Sequence, residues 1–157
     1  MVDTIINHIA ITDTLGTAGQ PTEAQFQKLC GDGLEVVINL APDGLETSLP
    51  EEGALLAGLG AEYHHIPVPW NAPSVAKYRR FQNAMAYAAG KRTLVHCQAN
   101  YRVTAFIAPY AQAHLGWTRA EADALVAKIW TSRPDFAMGD DWREFIAQAR
   151  QAEGLPA

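Results

Sequence analysis

The chain has few cysteines, no excess of basic residues and no long apolar run. Lysine and arginine together number 12, against 17 aspartates and glutamates, so the net charge of -5 gives no general attraction for nucleic acid or an anionic membrane. No stretch of about 18 apolar residues is present, which argues against a transmembrane helix. The first ten residues lack the basic start of a signal peptide, so we expect a cytoplasmic protein.

Two cysteines, Cys30 and Cys97, are too few for a disulfide framework, and we interpret Cys30 as a packing residue at a helix end. No histidines and cysteines stand at metal-ligand spacing, so we expect neither a metal nor a cofactor. A hydrophobic share of 48% in 157 residues suits one domain with a sizeable core, and residues 1–157 are treated as one unit. The oligomeric state cannot be predicted from these features.

Short apolar runs alternate with helical segments along the chain. Strands are predicted at 8–13, 35–40, 63–68 and 93–96, with a turn over Gly16 to Gly19 after the first of them. Helices are predicted at 22–29, where Thr22 and Gln25 have the spacing of a capping box, and at 51–59, 74–89, 102–115, 118–130 and 140–152. This alternation predicts an α/β fold with a central, mainly parallel sheet of four or five strands flanked by helices. Ligands bind such sheets at the carboxyl ends of the strands, where Cys97, Asp43 and the pair Trp70-Asn71 should lie.

The segment from His96 to Arg102 reads His-Cys-Gln-Ala-Asn-Tyr-Arg and joins a buried strand to an apolar helix. A cysteine at a helix N-terminus forms a thiolate readily, and the same backbone N–H groups bind phosphate oxygens. A planar guanidinium clamps two of those oxygens. The pattern therefore predicts Cys97 as a nucleophile and Arg102 as an anion clamp. The predicted phosphate-binding residues are Gln98, Ala99, Asn100, Tyr101, Arg102, Val103 and Thr104.

Residues around this loop are expected to support it. His96 is interpreted as a hydrogen-bonding residue behind the loop. Trp70 and Asn71 are predicted to line the pocket, and Tyr78 and Tyr101 offer further aromatic surface for an aromatic phosphoester.

Four segments appear in a fixed order over roughly residues 17–115: Gly19-Gln20-Pro21, Val37-Ile38-Asn39-Leu40, Tyr63-His64-His65-Ile66-Pro67-Val68 and Val95-His96-Cys97. With these segments the chain resembles the cysteine-dependent protein tyrosine and dual-specificity phosphatase superfamily, especially its small bacterial members with a Gly-Gln-Pro helix start. The resemblance implies hydrolysis of a phosphorylated protein or a small phosphoester, such as phosphotyrosine, through a phosphocysteine at Cys97.

The loop departs from the superfamily signature, which places five residues between cysteine and arginine and a serine or threonine directly after. Here four residues intervene, Val103 stands where the arginine is usual, and Thr104 is in register. Asn100 occupies the usual glycine position, and asparagine tolerates a left-handed backbone. Because one position rotates a helical side chain by about 100°, the clamp of Arg102 is either repositioned or lost.

The general acid is also missing from its usual place. Dual-specificity phosphatases carry an aspartic acid after the strand that corresponds to residues 63–68, where this chain has Pro-Trp-Asn-Ala-Pro. No aspartate or glutamate occurs between Glu62 and Glu121. Asp43 is the first candidate because it follows a parallel strand at the same edge, although it equally suits a plain turn. Asp135 is the second.

Two other functions stay open. Rhodanese-type sulfurtransferases also place four residues between cysteine and arginine, although this chain lacks their Gly-His-Ile-Pro segment and their Asp-Val-Arg strand end. The other is a non-catalytic, phosphate-binding pseudophosphatase, in which the loop and the arginine persist without an acid.

Overall fold

The computed structural model describes residues 4–157, which form five strands and six helices. The strands are β1 (Ile9–Ala10), β2 (Leu15–Ala18), β3 (Val36–Asn39), β4 (Glu62–His65) and β5 (Thr93–His96). The helices are α1 (Glu23–Gly31), α2 (Glu52–Gly58), α3 (Val75–Tyr87), α4 (Tyr101–His114), α5 (Arg119–Trp130) and α6 (Asp140–Ala152). The predicted α/β fold, with a central sheet flanked by helices, is confirmed. None of the helices in the described range is long and apolar enough to cross a bilayer.

The strands form one sheet in the order β1-β2-β5-β3-β4, parallel throughout except for the antiparallel pair β1 and β2. The register brings the last residues of four strands into one row: Ala18 pairs with His96, His96 with Asn39, and Asn39 with His65. Since β5 is the central strand of the five-stranded sheet, Cys97 emerges in the middle of the carboxyl edge.

Helix starts are set by local hydrogen bonds that the sequence predicts. The Thr22 hydroxyl accepts a hydrogen bond from the Gln25 amide at 3.1 Å, and the Gln25 side chain accepts one from the Thr22 amide at 2.9 Å. This capping box satisfies two backbone donors at the start of α1. Ser74 caps α3 by accepting from the Lys77 amide.

The prediction at the N-terminal end of the sheet was wrong in its bounds. A single strand was expected at 8–13 with a turn over Gly16 to Gly19, whereas β1 has only two residues and β2 covers Leu15–Ala18. The turn lies earlier, where the Thr12 hydroxyl accepts from the backbone amides of Thr14 and Leu15. Pairing with β5 makes residues 15–18 a strand despite the glycine, because long-range pairing outweighs local propensity.

Successive residues of β5 and its extension contact opposite layers of helices. Val95 and Cys97 belong to the larger core, which α3, α4 and α6 complete. Leu94 belongs to the smaller core with α1 and α2, and the His96 ring meets the Phe26 ring of α1 edge-on at 5.7 Å. Side chains alternate across a strand, so the thiol of Cys97 and the ring of His96 lie on opposite faces of the sheet.

Candidate active site

Cys97 follows β5 directly and is fully buried. Its amide donates a hydrogen bond to the Ala18 carbonyl at 3.2 Å, which fixes it to the neighbouring strand. Only residues 98–100 separate it from the first residue of α4, a helix of 14 residues. The sulfur therefore lies near the positive end of a helix dipole, where a thiolate or a bound anion is stabilised.

Asn100 turns the loop into α4 with a left-handed backbone, at φ 71° and ψ 7°. Its side-chain amide donates to the Asn7 carbonyl at 2.8 Å and to the Thr17 hydroxyl at 3.1 Å. The asparagine thus performs the turn that the signature usually gives to glycine, and in addition ties the loop to β2.

Gly19 of the Gly-Gln-Pro segment lies against the other side of the loop. A Cβ atom at this position would stand 2.6 Å from the Gln98 carbonyl oxygen and 3.0 Å from the Ala99 Cα. The amide of Gln20 donates to the same Gln98 carbonyl at 3.0 Å. Only glycine permits this close approach, so the geometry of the cysteine loop requires a glycine at position 19.

Arg102 is directed at Cys97, although it stands one position before the usual arginine. Its guanidinium lies close enough to Cys97 for the two groups to interact electrostatically. Its Nε donates a hydrogen bond to the Val68 carbonyl at 2.8 Å. Burial lowers the pKa of Arg102, and the neighbouring Cys97 acts in the opposite direction. Val103, which occupies the usual arginine position, is fully buried in the larger core.

An aromatic cluster, formed by Trp70, Tyr101, Trp130, Phe136 and Trp142, adjoins the guanidinium. The Trp70 ring lies over the Arg102 Cζ at 5.1 Å and stacks on the Trp130 ring at 5.4 Å. The indole N–H of Trp142 donates to the Trp70 carbonyl at 2.8 Å. These contacts hold Trp70 beside Arg102, and Asn71, the next residue along the chain, is exposed.

Other predicted residues are engaged elsewhere. The amide of Thr104 donates to the Asn100 carbonyl and its hydroxyl to the Tyr101 carbonyl, each at 3.1 Å, so both groups are satisfied within α4. Tyr78 does not line the site, because it is fully buried and its hydroxyl donates to Glu153 at 2.9 Å. Of the predicted phosphate-binding residues, residues 98–101 therefore form the loop between Cys97 and Arg102, whereas the polar groups of Thr104 are engaged within α4.

Neither candidate acid contacts the thiol. Asp43 is exposed and lines a polar cavity of about 530 Å³ whose walls include Asn39, Glu52 and Tyr63 but neither Cys97 nor Arg102. Asp135 is exposed on the loop before α6 and pairs with Arg133 at 3.4 Å. No cluster of three or more potential metal ligands is found within residues 4–157.

One buried residue near the loop was not predicted at all. Glu52, the first residue of α2, accepts hydrogen bonds from the His96 Nε2 at 2.7 Å and the Gln20 Nε2 at 2.6 Å. The ring Nδ1 of His96 lies 3.2 Å from the Cys97 carbonyl oxygen, in the position behind the loop that the sequence suggested. In the sequence, Glu51 and Glu52 are neighbours at a predicted helix start, and the sequence pattern does not show which of the two carboxylates is buried.

The curated proteins that resemble the chain match only part of it. No protein-family profile matches it. A beta-lactamase hydrolase-like protein of Agrobacterium fabrum is 35% identical over 97 residues, which cover 60% of this chain. The match covers 22% of that protein, so the chain spans about a fifth of the length of the curated relatives it matches.

Solved structures match nearly the whole chain. A candidate phosphatase of the DUF442 group from Shewanella putrefaciens CN-32 is 31% identical with a TM-score of 0.82, covering 95% of this chain and 94% of that one. The catalytic core of the PP-IP phosphatase SIW14 from S. cerevisiae shares the fold at 14% identity, with a TM-score of 0.76 over 95% of this chain and 88% of that one. At this identity and coverage the chain belongs to the DUF442 family of the Shewanella protein, and its fold is the one found in cysteine-dependent protein tyrosine and dual-specificity phosphatases.

Proposed function

We propose that the protein is a phosphatase that hydrolyses phosphomonoesters through a phosphocysteine intermediate at Cys97. The observation that carries the proposal is that the buried Arg102 guanidinium and the buried Cys97 interact electrostatically at the start of α4. A cation, a helix N-terminus and a nucleophile converge there, and this combination binds a phosphate group and attacks it. The name of the DUF442 relative supports the same class of reaction.

In the proposed reaction the Cys97 thiolate attacks phosphorus in line. The S–P bond forms while the bond from phosphorus to the leaving oxygen breaks, and a general acid protonates that oxygen. A water molecule then attacks the phosphocysteine, which releases inorganic phosphate and restores the thiolate. Arg102 and the loop amides stabilise the charge on the transferring group in both steps.

Trp70 and Tyr101 are proposed to form the walls of the substrate pocket. The Cys97 thiol is 0% exposed and Arg102 5% exposed, whereas Trp70 is 38% exposed. Trp70 is therefore the member of this group that is most accessible to a substrate. Flat aromatic surfaces beside the anion site favour an aryl phosphoester, of which phosphotyrosine is the protein-borne example.

Rapid acid quench of the enzyme with an aryl phosphate, followed by peptide mass spectrometry, tests the intermediate. We expect the peptide that contains Cys97 to gain the mass of one phosphoryl group, and the gain to be absent in Cys97→Ser. Inorganic phosphate binding without this adduct would indicate a non-catalytic binding module instead.

A rhodanese-like sulfurtransferase is the second candidate function. It is favoured by the four-residue spacing from Cys97 to Arg102 and by the absence of a carboxylate in residues 69–73. The Cys97 thiolate would then attack the outer sulfur of thiosulfate, whose S–S bond breaks with release of sulfite, and Cys97 would become a persulfide. The aryl phosphate would leave the thiol unmodified. That pair of results would replace the phosphatase proposal.

Asp43 is proposed as the general acid, on its position after β3 at the same edge of the sheet as Cys97. Asp43→Asn should then slow an alkyl phosphate, whose leaving group needs a proton, by about 10²-fold, the low end for general acid catalysis. The low end is expected because Asp43 is exposed and lines the neighbouring cavity. Turnover of an aryl phosphate with a good leaving group should change little.

Asp135→Asn provides the matched control for this prediction. Asp135 is exposed and engaged with Arg133, so its amide variant should hydrolyse both substrates at the wild-type rate. Equal slowing of alkyl and aryl phosphates by Asp43→Asn would exclude Asp43 as the proton donor. Selective slowing by Asp135→Asn would transfer the role to Asp135.

A further inference from the structure

We infer that Glu52 is a positioning residue that sets the Cys97 loop by holding His96 in one proton arrangement. The inference rests on the proposed role of Cys97 and adds a residue outside the signature segment. Glu52 lies on the face of the sheet that α1 and α2 cover, opposite the thiol, so it acts through the chain and not on the substrate.

The Glu52 carboxylate is withdrawn from solvent, with a side chain that is 4% exposed. Such a group is costly to bury unless its oxygens accept hydrogen bonds. Gln20 donates to one oxygen and His96 to the other, at 2.6 and 2.7 Å. His96 is itself 0% exposed, so water cannot replace either partner.

Tyr63 supplies a further contact on the cavity side of Glu52. Burial raises the pKa of Tyr63 to about 12, with smaller contributions in the same direction from Glu52 and Asp43. The phenol therefore remains protonated near neutral pH. It accepts a hydrogen bond from Asn39 at 3.0 Å, and it lines the same cavity as Asn39 and Glu52.

The contacts of His96 determine where its protons lie. A carbonyl oxygen only accepts hydrogen bonds, so the contact of Nδ1 with the Cys97 carbonyl at 3.2 Å requires a proton on Nδ1. A second proton is shared between Nε2 and Glu52, whichever of the two formally carries it. Without Glu52 the ring can instead hold its single proton on Nε2, which leaves a bare Nδ1 facing the carbonyl oxygen.

The orientation of the Cys97 carbonyl sets the next amide of the loop. The peptide from Cys97 to Gln98 is trans and planar, so its carbonyl and its N–H point in opposite directions. With the carbonyl held towards His96, the Gln98 N–H points to the opposite face, where the thiol and Arg102 lie. Glu52 thereby keeps a loop donor directed at the bound anion.

The test compares Glu52→Gln, Glu52→Met and the control Glu51→Gln. Glutamine can donate to the His96 Nε2 and accept from Gln20, so it preserves the proton on Nδ1. Methionine keeps a similar volume but offers neither contact. Glu51 is exposed and makes no capping hydrogen bond with its side chain, so its amide variant should match wild type.

Three readouts are measured on the full chain: the nitrogen NMR shifts of the His96 ring, the protection of Cys97 from iodoacetamide by inorganic phosphate, and kcat with an aryl phosphate. We expect Glu52→Met to move the proton from Nδ1 to Nε2 and to weaken phosphate protection. By analogy with residues that orient metal ligands, kcat should fall about 10–100-fold. Glu52→Gln should keep the Nδ1 proton and restore most of the protection and of kcat.

The results that would overturn this inference about Glu52 differ from the results that would overturn the proposed phosphatase function. If the wild type hydrolyses no phosphoester, the NMR shifts and phosphate protection still report on Glu52. A melting temperature that falls in Glu52→Met, with unchanged phosphate protection and kcat, would reduce Glu52 to a structural role. If Glu52→Met does not fold, Glu52→Gln decides alone, because loss of the Nδ1 proton in that variant would overturn the inference.

Discussion

Cys97→Ser is expected to lower the turnover of an aryl phosphate by at least about 10⁴-fold, the scale seen when an enzyme loses its nucleophile. The change replaces one sulfur atom by oxygen in a fully buried side chain, and the backbone anchor to Ala18 is unaffected. A serine hydroxyl is a far weaker nucleophile than a thiolate, and Arg102 stabilises anions and not neutral hydroxyls. Steady-state kinetics together with the melting temperature measure the effect.

Cys30→Ser is the matched control, since it makes the same chemical change at the other cysteine. Cys30 lies near the end of α1, and burial raises the pKa of its thiol, so it is protonated at neutral pH. We expect its serine variant to retain wild-type turnover. Substantial activity in Cys97→Ser, or an equal loss in Cys30→Ser, would contradict the assignment of the nucleophile.

The sequence predicts the fold well where local signals and tertiary pairing agree. The run of apolar residues at 35–40 becomes β3, and the capping box at Thr22 and Gln25 starts α1 at the expected place. The strand β2 could not be predicted, because Gly16 indicates a turn and only the pairing with β5 makes that segment extended. Propensity is local, and the hydrogen bonds that override it join residues far apart in the chain.

The site was predictable in its residue types but not in its geometry. Cys97 and Arg102 stand out by spacing, but whether the displaced arginine reaches the thiol depends on where α4 begins. The left-handed Asn100 starts the helix at Tyr101, which directs Arg102 to Cys97 and Val103 into the core. Glu52 was missed because its burial arises from the packing of α2 against the sheet, which a pair of adjacent glutamates does not reveal.

The neighbours of Arg102 explain why its replacement is the sharpest test of the displaced clamp. Its Nε donates a hydrogen bond to the Val68 carbonyl, and the Trp70 ring packs against the guanidinium. The two terminal nitrogens are therefore left to bind an anion. Arg143→Lys is the matched control, because Arg143 is exposed and pairs with the exposed Asp140. This control variant should keep wild-type turnover, since exposed ion pairs contribute little.

Arg102→Lys is expected to lower kcat/KM for an aryl phosphate by about 10²–10³-fold, the cost of losing one preorganised donor to the transition state. Lysine keeps the positive charge but offers a compact ammonium, which cannot donate to Val68 and also hold two phosphate oxygens. Inhibition by inorganic phosphate should weaken in parallel, because the same fork binds the product. The buried Val68 carbonyl loses its donor, so the free energy of unfolding should also fall by about 1–3 kcal/mol. Wild-type kinetics in Arg102→Lys, with only that loss of stability, would show that the guanidinium supports the loop without clamping the phosphate.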